Sequence, residues 1–331
     1  MRVLIKKKIK YMCIILLVMI VVFFGGIMCS KYRLEITRYD LKLESIHSGS
    51  GLRIVQLSDL HNMYFGRENE KIASKVDAEK PDLIFITGDI VNSHKWNDND
   101  YATGLIRQLC KIAPVYVSLG NQEMDLIEEK TIDIIGDYER AGATVLNFSF
   151  SDVDINGQKY RIGGIYGYCL PVAYAYETHR EDETKFLLEF QDTSACKLLL
   201  CHMPVSWLNS WSLYDWDVDV VFSGHTYGGQ VKIPIVGGLW APDLGWFPGK
   251  LEGVYSTNFN DWNNSRKELL QYVKYMKYDT TYYEEHDEYY PSYLALSRGL
   301  GNTDWMPRFN NPPEIVVVDL VPEEDGNAKD K

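Results

Sequence analysis

Five short apolar runs in this chain each stop at a residue able to hold a metal ion or meet a phosphate. Leu52-Arg53-Ile54-Val55-Gln56-Leu57-Ser58 ends at Asp59-Leu60-His61, and Leu83-Ile84-Phe85-Ile86 ends at Gly88-Asp89. Val115-Tyr116-Val117 ends at Gly120-Asn121, Lys197-Leu198-Leu199-Leu200 at Cys201-His202, and Val218-Asp219-Val220-Val221-Phe222 at Gly224-His225. Between the first three lie stretches with helical spacing: Ile72, Ala73 and Val76, closed by Pro81, then Leu105, Ile106 and Leu109. Strand, helix, strand, helix, strand is the pattern of parallel βαβ units. Ligands of open α/β sheets bind beyond the carboxyl ends of the strands, so the five endings are expected to converge on one crevice. Each ending alone is ordinary turn chemistry. Five in chain order ask for a common cause.

The rest of the pattern extends the sheets. Ile132, Ile135 and Tyr138 predict a helix, and residues 144–146 a strand. Asn156-Gly157 between Val153-Asp154-Ile155 and Tyr160-Arg161-Ile162 predicts a two-residue hairpin. Residues 293–297 and 315–320 read as two further strands. No internal repeat is visible in the 331 residues. The expectation is one α/β domain over residues 51–322, with two mixed sheets face to face and helices outside. Residues 34–50 are expected to be a linker, and 323–331 a polar tail.

The amino terminus is of a different kind. Residues 11–30, YMCIILLVMIVVFFGGIMCS, carry no charge, and about 20 apolar residues cross a bilayer as a helix. Arg2, Lys6, Lys7, Lys8 and Lys10 precede the run; Lys31 and Arg33 follow it. The positive-inside bias then puts the amino terminus in the cytoplasm and the remainder outside. A cleaved signal peptide has a shorter apolar region, about 7–15 residues, with an A-x-A-like exit. Gly26-Ile27-Met28-Cys29 supplies no such exit, and Met28 before Cys29 makes a weak lipobox. Residues 1–33 are therefore expected to be a basic tip and an uncleaved, single-pass plasma-membrane anchor.

Charge excludes one class of partner. The chain has 34 Lys and Arg against 46 Asp and Glu, for a net −12, and the first 33 residues hold seven of the basic residues and no acidic one. A domain so acidic beyond its anchor is a poor nucleic-acid binder, because that affinity rests on neutralising phosphates. Cys13 and Cys29 fall in or at the edge of the apolar run, while Cys110, Cys169, Cys196 and Cys201 sit singly with no C-x-x-C spacing and read as small buried thiols. Oxygen ligands mixed with imidazoles suit a hydrolytic Mn, Fe or Zn pair better than a Cys-rich structural site.

The ordered set Asp59-x-His61, Gly88-Asp89, Gly120-Asn121, His202 and Gly224-His225 resembles the calcineurin-like metallophosphoesterases. Gly228-Gly229-Gln230-Val231, Ser297-Arg298-Gly299-Leu300-Gly301 and Pro313-Glu314-Ile315 resemble its membrane-anchored bacterial branch. The likeness runs from about Leu52 to Leu320. It implies a four-layer α/β sandwich of two mixed sheets flanked by helices, holding two divalent or trivalent ions. By that resemblance Asp89 bridges the ions, Asp59 and His61 hold the first, and Asn121, His202 and His225 hold the second. The implied reaction is hydrolysis of a phosphate mono- or diester by a metal-bound hydroxide, between cations about 3.5–4 Å apart. The anchor points to an envelope lipid or wall precursor as the substrate.

Two positions depart from the family pattern. Gln122 stands where the family usually has the His that protonates the leaving oxygen, and Tyr227 where it usually has a His ligand of the first ion. Gln donates a hydrogen bond but transfers no proton. At Tyr227 three outcomes stay open: phenolate ligation, a water in its place, or a phenol that points away and a weak first site. The alternative function is a degenerate member that binds metal or a phosphorylated ligand with little or no catalysis. Residues 255–292 form a tyrosine-rich insertion in which Leu269, Tyr272, Val273 and Met276 have helical spacing. It reads either as a cap on the entrance or as a helix packed on the core. His47, His94, His179 and His286 match no motif.

Overall fold

Short strands with apolar residues on both faces need cover on both sides, and this chain supplies it with two sheets and two helical layers. The computed structural model describes residues 2–95, 100–174, 181–209, 211–303 and 305–323. His179 and the expected tail, past its first residue, lie outside the described residues.

The apolar helix α1 (Arg2–Tyr32) leads into β1 (Glu35–Leu43). Then follow β2 (Leu52–Leu57), α2 (Glu70–Glu79), β3 (Leu83–Thr87), α3 (Asp100–Leu109), β4 (Val115–Ser118), α4 (Asn121–Lys130), α5 (Ile134–Arg140) and β5 (Thr144–Leu146). The second half opens with the hairpin of β6 (Ser149–Ile155) and β7 (Gln158–Ile165) and continues with α6 (Glu181–Gln191) and β8 (Cys196–Cys201). Short helices α7 (Val205–Asn209) and α8 (Ser212–Asp215) precede β9 (Val220–Ser223). Two small ribbons come next: β10 (Lys232–Ile233) with β11 (Gly237–Gly238), and β12 (Trp240–Ala241) with β13 (Gly245–Trp246). The chain closes with β14 (Gly253–Ser256), α9 (Phe259–Met276), α10 (Thr281–Glu285), β15 (Tyr293–Leu296) and β16 (Glu314–Pro322).

One six-stranded sheet has the order β1-β16-β2-β3-β4-β5 and the other β14-β15-β9-β8-β7-β6. Pairing is parallel except at β16–β2, β14–β15 and β6–β7. Ile54, Phe85 and Tyr116 of the first sheet face Ile162, Leu198 and Phe222 of the second. Phe85 meets Phe222 edge-on at 5.0 Å between ring centroids. Outside the first sheet, Ile84 and Val117 pack on Ile72, Val76 and Ile106. Outside the second, Leu199 and Val221 pack on Phe186, Phe190, Leu269 and Val273. The four expected layers are all present, and α1 is long and apolar enough to cross a membrane.

The expected linker is in part a strand. Residues 35–43 pair in parallel with β16 from Glu35↔Glu314 to Leu43↔Pro322. Charged side chains on its half-exposed face hide it in the sequence, while Leu41 and Leu43 are buried between the sheets. The helix α4, beginning at Asn121, also went unexpected. The insertion packs on the core: β14 lies partly within it, and α9 buries Leu269 and Val273 on the outer face of the second sheet.

Candidate metal centre

The parallel strands β2, β3 and β4 of one sheet and β8 and β9 of the other deliver the five endings to one place. The turns that do so are strained. Asp59, His61, Asp89, His225 and Tyr227 all have left-handed backbones, with φ of 52°, 49°, 55°, 70° and 51°. Such a residue costs about 1–3 kcal/mol and persists where its surroundings over-determine it. Two glycines make the close approaches possible. A Cβ on Gly120 would lie 2.2 Å from Asp89 Oδ1, and one on Gly224 would lie 1.9 Å from Ser58 Oγ and 2.4 Å from Asp59 Oδ2.

Two triads result, Asp59–His61–Asp89 and Asp89–His202–His225, each with its donor atoms within 4.8 Å of one another. Asp89 belongs to both. Its Oδ1 accepts from Gln122 N at 2.8 Å. Its Oδ2 lies 3.3 Å from His61 Nε2 and 3.4 Å from His202 Nε2, yet takes part in no hydrogen bond among the described residues. Asn121 Oδ1 is buried and unpartnered in the same way. Buried oxygens are rarely left so, because the desolvation cost is then uncompensated. Orphaned oxygens beside imidazoles fit a hydrolytic cation of the Mn, Fe or Zn type.

The imidazoles are oriented from behind. His202 Nδ1 donates to the Thr87 carbonyl at 2.6 Å, which leaves Nε2 toward Asp89. His225 Nε2 donates to Asp243 Oδ2 at 2.9 Å, which leaves Nδ1 3.2 Å from His202 Nε2. Metal-binding histidines are commonly held this way. Asp59 accepts from His225 N at 3.0 and 3.1 Å and from Ser58 Oγ at 2.6 Å. Glu123 ties the strand ends together, accepting from Asp89 N (2.8 Å), Ile90 N (2.9 Å), Gly120 N (2.9 Å) and Tyr138 OH (3.0 Å).

Burial works against charge throughout the centre, and pairing overrides it at its middle. Burial opposes protonation of His202, but the Asp89 carboxylate pushes its pKa up to about 10. His61 is raised by the same partner against the same penalty. Burial likewise opposes ionisation of Asp89, which His202 and His61 nevertheless hold far below the usual carboxylate range. Glu123 is raised by burial and then by Asp89.

Tyr227 points into the centre, and its hydroxyl hydrogen-bonds His61 Nε2. Burial, then Asp59 and Asp89, drive its phenol well above 10. The metal-free centre therefore holds a neutral phenol there, directed inward. Gln122 is fixed by its side-chain oxygen, which accepts from Ser93 N at 2.8 Å and Ser93 Oγ at 2.9 Å.

Sequence reasoning missed Glu123, Asp243, Arg308 and Asn311. Arg308 is buried and donates to the carbonyls of Gly301 (2.7 Å), Tyr227 (3.3 Å) and Arg298 (2.5 Å). Asn311 Nδ2 donates to Tyr227 O at 2.7 Å and Gln230 O at 3.2 Å. Together they clamp the Tyr227 turn. Only Glu123 had a signal, its place directly after Gln122 in the Gly-Asn motif.

The family model described as Calcineurin-like phosphoesterase matches residues 52–229. An uncharacterized metallophosphoesterase of Bacillus subtilis, YkuE, is 26% identical over 308 residues, covering 89% of this chain and 90% of its own. An uncharacterized metallophosphoesterase of Aquifex aeolicus is 28% identical over 293 residues, covering 87% and 92%. Among solved structures, a 5'-nucleotidase precursor from Thermus thermophilus superposes with a TM-score of 0.45 at 13% identity, covering 82% of this chain and 54% of that one.

Replacing Asp243 by Ala frees the His225 ring, and metal affinity should fall about 10–100-fold in a competition titration with a chelating dye. An unchanged affinity would show that Asp243 does not orient His225. The pair His202–Asp89 also sets a pH dependence for the metal-free chain. Its stabilisation is full below the unfolded imidazole's pKa of about 6.5 and is lost as pH rises through the folded value of about 10. Thermal midpoints of the metal-free chain should therefore fall across that window, and His202→Asn should flatten the fall.

Proposed function

The chain belongs to the calcineurin-like phosphoesterase family, and we propose that it hydrolyses a phosphate mono- or diester at a pair of metal ions sharing Asp89. The observation that carries this reading is Asp89 Oδ2, buried and unbonded between the histidines of two triads. Asp59, His61 and Asp89 would hold one Mn, Fe or Zn ion; Asp89, Asn121, His202 and His225 would hold the other. Such ions, when bound, supply Lewis acidity toward water and the phosphoryl oxygens.

The chain's own residues then decide which esters fit. Gln122 is anchored on Ser93 by its oxygen, so its amide NH₂ is the end left to donate, without a proton to give. A general acid is worth about 10²–10⁴ in rate. Esters whose leaving group departs without protonation are therefore favoured. The apolar α1 supports a single-pass location in the plasma membrane, with the amino terminus cytoplasmic and the domain outside. That location favours an envelope lipid or wall precursor as substrate.

A second reading has one observation behind it. The Tyr227 hydroxyl occupies the His61 nitrogen that faces Asp89, so the first triad is capped, as in a domain that binds a ligand without turning it over. Metal titration and turnover separate the two readings. Calorimetry should show two steps, the tighter at the triad of His202 and His225, and Tyr227→His should tighten the weaker one. Two equal, tight steps in the unmodified chain would contradict the capping.

Release of p-nitrophenol from aryl phosphate mono- and diesters should depend on Mn, Fe or Zn and fall to background in Asp89→Ala. Gln122→His should raise turnover of alkyl esters by about 10²-fold or more, with little gain on aryl ones. No turnover in the unmodified chain, with activity gained in the Gln122→His, Tyr227→His double variant, would establish the second reading instead.

A further inference from the structure

The ribbons β10–β11 and β12–β13 follow the Tyr227 turn closely in the chain and carry bare apolar side chains. Ile235, at the tip of the first, is fully exposed; Val236, Trp246 and Phe247 are 60%, 61% and 56% exposed. Trp305, also exposed, packs edge-on against Trp240 at 4.9 Å between centroids. An exposed apolar cluster on a domain this acidic marks a contact surface.

The neighbouring helix says what covers it. A cavity of about 330 Å³ is lined jointly by Val22, Gly26 and Cys29 of α1 and by Pro234, Phe309 and Pro312 of the domain. The Phe309 ring lies so close on Gly26 that a Cβ there would come within 2.5 Å of it. Lys232 N donates to Phe309 O at 2.9 Å, which ties the first ribbon to the same ring. At 1.5 Å per residue, Val22 stands about 15 Å along α1 from its last residue, Tyr32. Pro234 lines this cavity together with Val22, Gly26 and Cys29, so the tip that follows it, Ile235 and Val236, starts from a residue seated against the carboxyl-terminal part of α1's apolar stretch. A bilayer that holds α1 as far as this cavity lies next to that tip. The tip is closed by Val236 N donating to Ile233 O at 3.1 Å, and the exposed indoles of Trp246 and Trp305 suit the headgroup level.

We propose that the outer faces of these two ribbons, with Trp305, form a membrane-docking surface that inserts into the leaflet from which α1 emerges. This rests on the anchored reading given above and adds to it a second attachment. Docking also fixes the substrate's source. Asp243, in the turn between β12 and β13, holds His225, so the ribbon that meets the bilayer also lines the metal centre. The centre is thereby presented to phosphoester headgroups of that leaflet, whose acyl chains stay in the membrane.

The test uses the full chain, with Cys13→Ser, Cys29→Ser and Cys110→Ala, reconstituted in phosphatidylcholine–phosphatidylglycerol vesicles. An environment-sensitive dye is placed on Ile235→Cys, Trp246→Cys or Lys159→Cys in separate samples. Lys159 is exposed at the start of β7, the end of that strand away from the metal centre. Lipids carrying nitroxides on their acyl chains should remove most of the emission at 235 and 246 and leave 159 unchanged. Vesicles that float with the protein while 235 and 246 stay unquenched would overturn the docking surface and leave the anchor standing. A chain that fails to float would overturn both. Aryl phosphoester turnover in the same vesicles reports on the hydrolase reading independently of either result.

Discussion

A carboxylate without water around it has to be answered by the groups beside it, and at Asp89 two histidines and one backbone N–H meet that need. An unpaired ion in a low-dielectric interior costs far more than a folded domain has to spare. Asp89 is answered by His61 and His202 on one oxygen and by the Gln122 backbone N–H on the other. The answer is incomplete, because Oδ2 stays unbonded at 3.3 and 3.4 Å from the two rings. Five left-handed residues hold the donors in place. Their combined strain is sustained by the two sheets, and in the first of them the Glu123 carboxylate bridges neighbouring strand ends. Architecture and chemistry meet in that bracket: it joins the end of β3 to the end of β4.

Much of this was legible in the sequence, for a physical reason. Parallel strands buried on both faces read as unbroken apolar runs, so β3, β4, β8 and β9 announce themselves and their last residues mark the crevice. The hairpin at Asn156-Gly157 was legible too, since both residues take the positive φ (56° and 81°) that such a turn requires. The edge strand β1 was hidden because Arg38, Asp40 and Lys42 face outward, and its partner β16 lies at the other end of the chain. The helix α4 was hidden because it buries little beyond Glu123 and Leu126.

The unread parts of the site share one property: their roles are set by tertiary contact alone. Asp243 sits in a turn between two-residue strands, and Arg308 and Asn311 lie in irregular backbone, so no periodicity points to them. The departures at Gln122 and Tyr227 were visible in the motifs. What each one touches was not. Gln122 is turned onto Ser93, and Tyr227 is turned onto His61, held there by Arg308 and Asn311 gripping its carbonyl. The result is a centre with the His202–His225 triad on one side of Asp89 and, on the other, a triad whose His61 is bonded to Tyr227.

The shared position of Asp89 is the claim on which the account turns, and anomalous diffraction from manganese-loaded crystals of the full chain tests it most directly. The account predicts two peaks about 3.5–4 Å apart with Asp89 between them, the stronger beside His202 and His225. A single peak, or two that do not both contact Asp89, would contradict it.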